Sequence, residues 1–178
     1  MMSQHEFDEK TYTGLVLPTL TATEVVELLT RFLATERFDV VDSLLDQGVD
    51  VNIRDEYGST LLSALLDFAG VEYLVSKGIN VNTQDNQGNT PLYQVAMLGS
   101  LEAVQSLVSH GADVNARNAE GRTPLHVAAD TNFSAKVLAY LISQNADVNA
   151  KDEEYAIPLD VADTEVKKRL LREAMAKR

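Results

Sequence analysis

The chain has 178 residues, 45% of them apolar and 24% charged, a balance that excludes wholesale disorder and fits one compact domain or a short array of units. It contains no cysteine, which excludes disulfides, thiolate metal sites and a cysteine nucleophile. The formal charge of −12 opposes phosphate backbones and anionic lipid, so the expected partner is neither nucleic acid nor a membrane but a protein with a basic surface.

Residues 1–20 begin acidic and become apolar only at Gly14-Leu15-Val16-Leu17, too short a run for a secretory core, and no run in the chain approaches a membrane span. A cytoplasmic location is expected. This stretch reads as an N-terminal tail, either disordered or packed across the start of the fold. Apolar residues at helical spacing then predict one helix over 23–33 and a second over 39–45.

From here the sequence repeats itself. Gly48-Val49-Asp50-Val51-Asn52 returns as Gly78-Ile79-Asn80-Val81-Asn82, Gly111-Ala112-Asp113-Val114-Asn115 and Asn145-Ala146-Asp147-Val148-Asn149, at intervals of 30, 33 and 34 residues. Twelve positions after the start of each copy comes Thr60-Leu61-Leu62, Thr90-Pro91-Leu92, Thr123-Pro124-Leu125 or Ile157-Pro158-Leu159. Thr-Pro ahead of an apolar run is helix-start chemistry: the hydroxyl caps free amides and proline suits the first turn. A second apolar stripe follows in each unit and ends at the glycine, where a left-handed residue closes a helix. Asn145 replaces that glycine as the next most tolerant residue. Asp55, Asp85 and Asn118, each three residues before a glycine, predict tight turns between the two signals; the fourth loop, Lys151-Asp152-Glu153-Glu154-Tyr155, lacks the glycine. The unit is turn, helix, turn, helix. The unit around Phe68 is about one helical turn short, and the unit around Asn132 is one residue long.

Thr123-Pro124-Leu125-His126-Val127-Ala128-Ala129, followed by Asn145-Ala146-Asp147-Val148-Asn149, resembles the ankyrin repeat. The resemblance implies an all-α solenoid of about five stacked helix-turn-helix units with projecting hairpin loops. It places an ankyrin-repeat domain at 21–178, with repeats at approximately 23–53, 54–83, 84–116, 117–150 and a C-terminal cap at 151–178. In the cap, a helix over 163–177 is expected to cover the core with Val166, Leu170 and Leu171 and to turn Lys167, Lys168, Arg169 and Arg172 outward.

Catalysis has no candidate constellation. Of the three histidines, His5 lies in the tail, His110 ends a helix and His126 holds the family's hydrogen-bonding position at a helix start; none has metal-ligand spacing. The Asp-x-Asn pattern recurs once per unit, which argues for turn capping rather than calcium. No enzyme activity, cofactor or metal is expected. Binding is expected instead, through the concave groove and loop tips that the family pattern exposes. The positions are Arg54, Glu56, Tyr57, Asn86, Gln87, Glu120 and Arg122 on the loops, and Asp67, Phe68, Gln94, Met97, Leu98 and Asp130 on the first helices. Tyr57, Phe68, Met97 and Leu98 stand out because aromatic and methionine side chains are enriched at interface centres. The expected function is protein binding by a monomer, with inhibition or regulation of a partner as one use; the alternative is a structural protein that self-associates.

Overall fold

The computed structural model describes residues 20–64, 68–131 and 135–177, and every regular element among them is a helix. In chain order they are α1 (Ala22–Ala34), α2 (Phe38–Asp46), α3 (Leu61–Ala64), α4 (Phe68–Ser76), α5 (Pro91–Leu98), α6 (Leu101–Ser109), α7 (Pro124–Asp130), α8 (Ala135–Ser143) and α9 (Glu165–Met175). The tail at 1–19, the short and long inter-helix segments at 65–67 and 132–134, and candidate Asp67 lie outside the described residues.

Each start is locally specified. Thr21 Oγ1 accepts from the Glu24 amide at 3.3 Å while the Glu24 carboxylate accepts from the Thr21 amide at 2.7 Å, a reciprocal cap that opens α1. Thr90 Oγ1 accepts from the Tyr93 amide at 3.2 Å, with Pro91 in the first turn of α5. The second helices end at Gly48, Gly78, Gly111 and Asn145, with φ of 95°, 83°, 86° and 65°. Asn145 therefore adopts the left-handed conformation that its substitution for glycine requires.

The first helices α1, α3, α5 and α7 pack side by side as an inner layer, and α4, α6, α8 and α9 as an outer one. Leu29, Leu61, Leu92 and Leu125 fill the inner layer; Leu74, Leu107, Leu138 and Leu171 fill the seam with the outer. Each is fully buried, which stabilises the fold by about 2 kcal/mol per side chain. Between α2 and α4 the link is partly polar. The Phe38 and Tyr73 rings stack with centroids 4.3 Å apart, and the Tyr73 hydroxyl donates to Asp42 at 2.5 Å. Lys77 Nζ lies 2.7 Å from the same carboxylate. These contacts hold Asp42 below the usual carboxylate range and, with burial, push the Tyr73 hydroxyl well above its own.

The last unit departs from expectation twice. Ile157-Pro158-Leu159 opens no helix: Asp160 Oδ2 accepts from the Ile157 amide at 2.9 Å and closes a single turn. The outward and inward positions of α9 also differ from the pattern reading. Leu171 is buried, but Val166 is 53% exposed and Lys167 only 1%. The reason is at the end of α7. Lys167 Nζ donates to the Ala129 carbonyl at 3.4 Å and to the Thr131 carbonyl, and pairs with Asp163 at 3.0 Å. A cation there satisfies carbonyls that a helix end leaves free and complements the helix dipole. Lys168 and Arg172 pair with Glu165, and Arg169 with Glu173, on the outside as expected.

Candidate interaction surface

Four loops project between the helix pairs, and one acidic or amide side chain folds each. Asp55 Oδ1 accepts from the amides of Tyr57 and Ser59 at 2.9 and 2.8 Å. Asp85, Asn118 and Asp152 do the same to Gln87 and Asn89, Glu120 and Arg122, and Glu154 and Ala156. The Asp-x-Asn turns below them are built alike, with Asp113 Oδ1 accepting from Asn115 N at 2.9 Å. This is the capping role expected of the repeated aspartates. Among the described residues no His, Cys, Asp and Glu cluster could hold a metal ion.

Neighbouring loops are riveted in two rows. Main chain meets main chain where the amides of Asn86, Ala119 and Glu153 donate to Tyr57, Gln87 and Glu120 carbonyls at 2.9, 2.8 and 2.9 Å. A second row uses side chains: Arg54 donates to the Gln84 carbonyl at 2.5 Å, Gln84 to the Arg117 carbonyl at 2.9 Å, and Arg117 to the Lys151 carbonyl. No loop precedes the first among the described residues, and Thr23 Oγ1 accepts from its Glu56 amide at 3.3 Å.

These rows sort the candidate residues. The Arg54 guanidinium is committed to Gly58 and Gln84 carbonyls. Asn86 donates to the Glu56 carbonyl at 3.0 Å. Arg122 is tied to Asp130 by a 2.7 Å ion pair, with its side chain 19% exposed, and Gln94 reaches Asp85 at 3.4 Å. All four make contacts within the fold, three from loop positions and Gln94 from α5. Glu56, Gln87 and Glu120 stand exposed at the tips. Desolvation by burial, with the nearby Glu120 and Asp130 carboxylates, raises the Tyr93 hydroxyl above its usual range against the opposing charge of Arg122.

Tyr57, Phe68, Met97 and Leu98 are exposed by 66%, 51%, 42% and 45%, respectively, so all four face outward. They fall in two places. Tyr57 is on a loop tip. Met97 and Leu98 end α5, three and four residues from Gln94 on one helical face. Phe68, expected on a first helix, instead opens α4, the second helix of its shortened unit, at the position of Leu101 in α6. One exposed aromatic was missed. Tyr155, exposed by 77%, occupies the position of Gly58, Gly88 and Gly121, with φ of 66° against their 75°, 77° and 73°. The missing glycine of the fourth loop was its signal. A Cβ at Gly88 would lie 2.8 Å from the Ala119 amide nitrogen of the next loop, and one at Gly121 would lie 3.2 Å from that of Glu153. No loop follows the fourth among the described residues.

His126 is fully buried. Its Nδ1 accepts from the Thr123 amide at 3.1 Å and its Nε2–H donates to the Ala156 carbonyl at 3.1 Å, so it caps its own helix and grips the next unit. Burial lowers its pKa. This matches the structural role the motif implies.

The family model for ankyrin repeats in three copies matches residues 29–118 and again 61–152. A search of curated proteins found no match to the chain. No helix among the described residues is long and apolar enough to cross a membrane.

Proposed function

From the premise that the chain belongs to the ankyrin-repeat family, whose repeats generally serve as protein-protein interaction modules, we propose that it binds another protein through two neighbouring surfaces, the loop tips and the exposed end of α5. The family is typically non-catalytic. The observation that carries this reading is the exposure of Met97 and Leu98 at the end of α5, together with that of Phe68 at the start of α4 and of Tyr57 on a loop tip. Large apolar side chains left outside a well-filled core, with a polar rim, are what a partner's pocket takes up.

The partner presents basic groups to the loops. Glu56, Glu120, Glu153 and Glu154 are exposed along the tips, while the Arg54 and Arg117 guanidiniums are bound to carbonyls and Arg122 is paired with Asp130. Charge at such a rim steers association and sets its salt dependence more than its final affinity. The repeat backbone is pre-formed by its rivets, so little conformational entropy is lost on binding. The protein acts as a monomer that occupies or masks its partner, which makes inhibition or regulation its use.

The test is capture of a partner on immobilised protein at low and moderate salt, beside a Tyr57→Ala/Met97→Ala/Leu98→Ala variant. One protein held by the wild type, lost by the folded variant and weakened by salt supports the reading. Equal retention on both would put binding elsewhere on the molecule.

A further inference from the structure

The two rows of bonds between loops are open at both ends, and the ends are complementary. Each loop offers the next a carbonyl that takes up an amide, from Tyr57, Gln87 and Glu120. Each also offers a side-chain donor that takes up a carbonyl, from Arg54, Gln84 and Arg117. In the fourth loop these registers hold the Glu154 carbonyl and the Lys151 ammonium, and neither has a partner among the described residues. At the first loop the receiving groups are the Arg54 carbonyl and the Glu56 amide. The carbonyl accepts no hydrogen bond among the described residues, and the amide donates to the Thr23 hydroxyl at 3.3 Å. The first loop of one copy therefore carries the groups that the fourth loop of another would need. Such a contact joins unlike surfaces and does not close, so it propagates from copy to copy. An open row of amides and carbonyls is the same hazard that an exposed edge strand presents.

Tyr155 stands at that edge. In the loops that have a follower its register is glycine, and a Cβ there would obstruct both rows. One at Gly58 would lie 3.0 Å from the Asn86 amide nitrogen and 2.7 Å from Arg54 Nη2. One at Gly88 would lie 2.8 Å from the Ala119 amide nitrogen. One at Gly121 would lie 3.2 Å from the Glu153 amide nitrogen and 2.8 Å from Arg117 Nη2. The atoms met are the ones that bond loop to loop. In the fourth loop the Cβ is present, and the φ of 66° holds it in a left-handed backbone that favours glycine. The side chain offsets none of this by contacts within the fold: it is 77% exposed, and its hydroxyl has no partner among the described residues. A conformational cost kept at the edge, where glycine serves in the other loops, marks a residue held for something other than stability. Lys151 weakens the second row as well. Its ammonium lacks the fork with which Arg54 holds the Gly58 and Gln84 carbonyls together.

We propose that Tyr155 guards the open edge of the loop row: its Cβ keeps the first loop of a second copy from pairing with the Glu154 carbonyl, and so keeps the arrays from joining head to tail. The guard acts independently of the partner-binding surface, and its test needs no partner. Sedimentation equilibrium over a wide range of protein concentration compares wild type, Tyr155→Gly, Tyr155→Ala and Tyr155→Gly/Glu56→Pro, each confirmed folded by circular dichroism. Alanine keeps the Cβ and removes the ring. Proline removes the Glu56 amide hydrogen at a turn position that suits it, because the Gly58 amide donates to the Asp55 carbonyl at 3.0 Å across that turn. The expected result is a monomer at every concentration for wild type and Tyr155→Ala. The average mass of Tyr155→Gly rises with concentration past that of a dimer, and Glu56→Pro returns it to the monomer. A Tyr155→Gly variant that stays monomeric overturns the proposal, as does a Tyr155→Ala variant that associates like it. Equal association of Tyr155→Gly with and without Glu56→Pro overturns the head-to-tail contact.

Discussion

Tyr155 and Gly121 occupy the same register of successive loops and share a left-handed backbone, yet substitution at the two has opposite signs. For a residue with a Cβ that conformation costs about 1–2 kcal/mol, while glycine costs roughly 0.5–1 kcal/mol in lost chain freedom. Tyr155→Gly is therefore expected to raise unfolding stability by up to about 1 kcal/mol. Gly121→Ala meets both the backbone strain and the Glu153 main chain, and is expected to cost about 2 kcal/mol or more. Urea unfolding of the two variants beside the wild type decides between these signs. His126 adds a pH dependence. Its pKa is lowered in the folded state from the ordinary 6.5, so the unfolded chain binds the proton more tightly. The stability that depends on neutral His126 is full above that value and is lost as pH falls below it toward the lowered folded value. His126→Gln should lose stability at neutral pH and show a smaller drop than the wild type between pH 7.5 and 5.5. An identical drop in both proteins would remove His126 from the account. At this scale the turn residues were readable because each acts within its own loop. The commitment of Arg54 and Asn86 was not, because their partners lie 30 residues away on the neighbouring loop.

The same distinction governs the elements. The capped starts of α1 and α5 and the left-handed ends at Gly48, Gly78, Gly111 and Asn145 follow from local chemistry, and helix positions came out within one or two residues. Helix α9 was legible as a helix but not in its orientation. A pattern of apolar residues assigns Val166 inward and Lys167 outward; the free carbonyls at the end of α7, 36 and 38 residues away, reverse that assignment. Lys167→Ala removes a buried cation from Asp163 and two carbonyls, and is expected to cost about 3 kcal/mol in urea unfolding. Lys168→Ala, on the same helix at an exposed ion pair, should stay within about 0.5 kcal/mol. Similar losses from both would mean that α9 is held by its apolar residues alone. The turn at Ile157-Pro158-Leu159 shows the complementary limit: the motif of a helix start is present, but Asp160 closes the turn on itself.

Across the whole molecule, the periodic sequence determines a stack whose repeated positions are occupied with holding it together. The proposed surface is drawn from what differs between units. That division was visible in the period, and it singled out Tyr57, Phe68, Met97 and Leu98, all exposed in the structure. It did not show that some variable positions, Arg54, Asn86 and Arg122, also make contacts within the fold. Two triple variants separate the roles. Tyr57→Ala/Met97→Ala/Leu98→Ala changes exposed side chains and should alter stability by no more than about 0.5 kcal/mol per site. Arg54→Ala/Asn86→Ala/Arg122→Ala removes inter-unit contacts and should cost about 2 kcal/mol or more in total. The most direct measurement is partner capture on both variants, each confirmed folded by circular dichroism at the capture temperature. The proposed surface predicts that the first variant loses the partner by at least ten-fold, as expected for hot-spot side chains, while the second, once folded, retains it. Retention by the first and loss by the second would place recognition on the riveted loops and contradict the proposed surface.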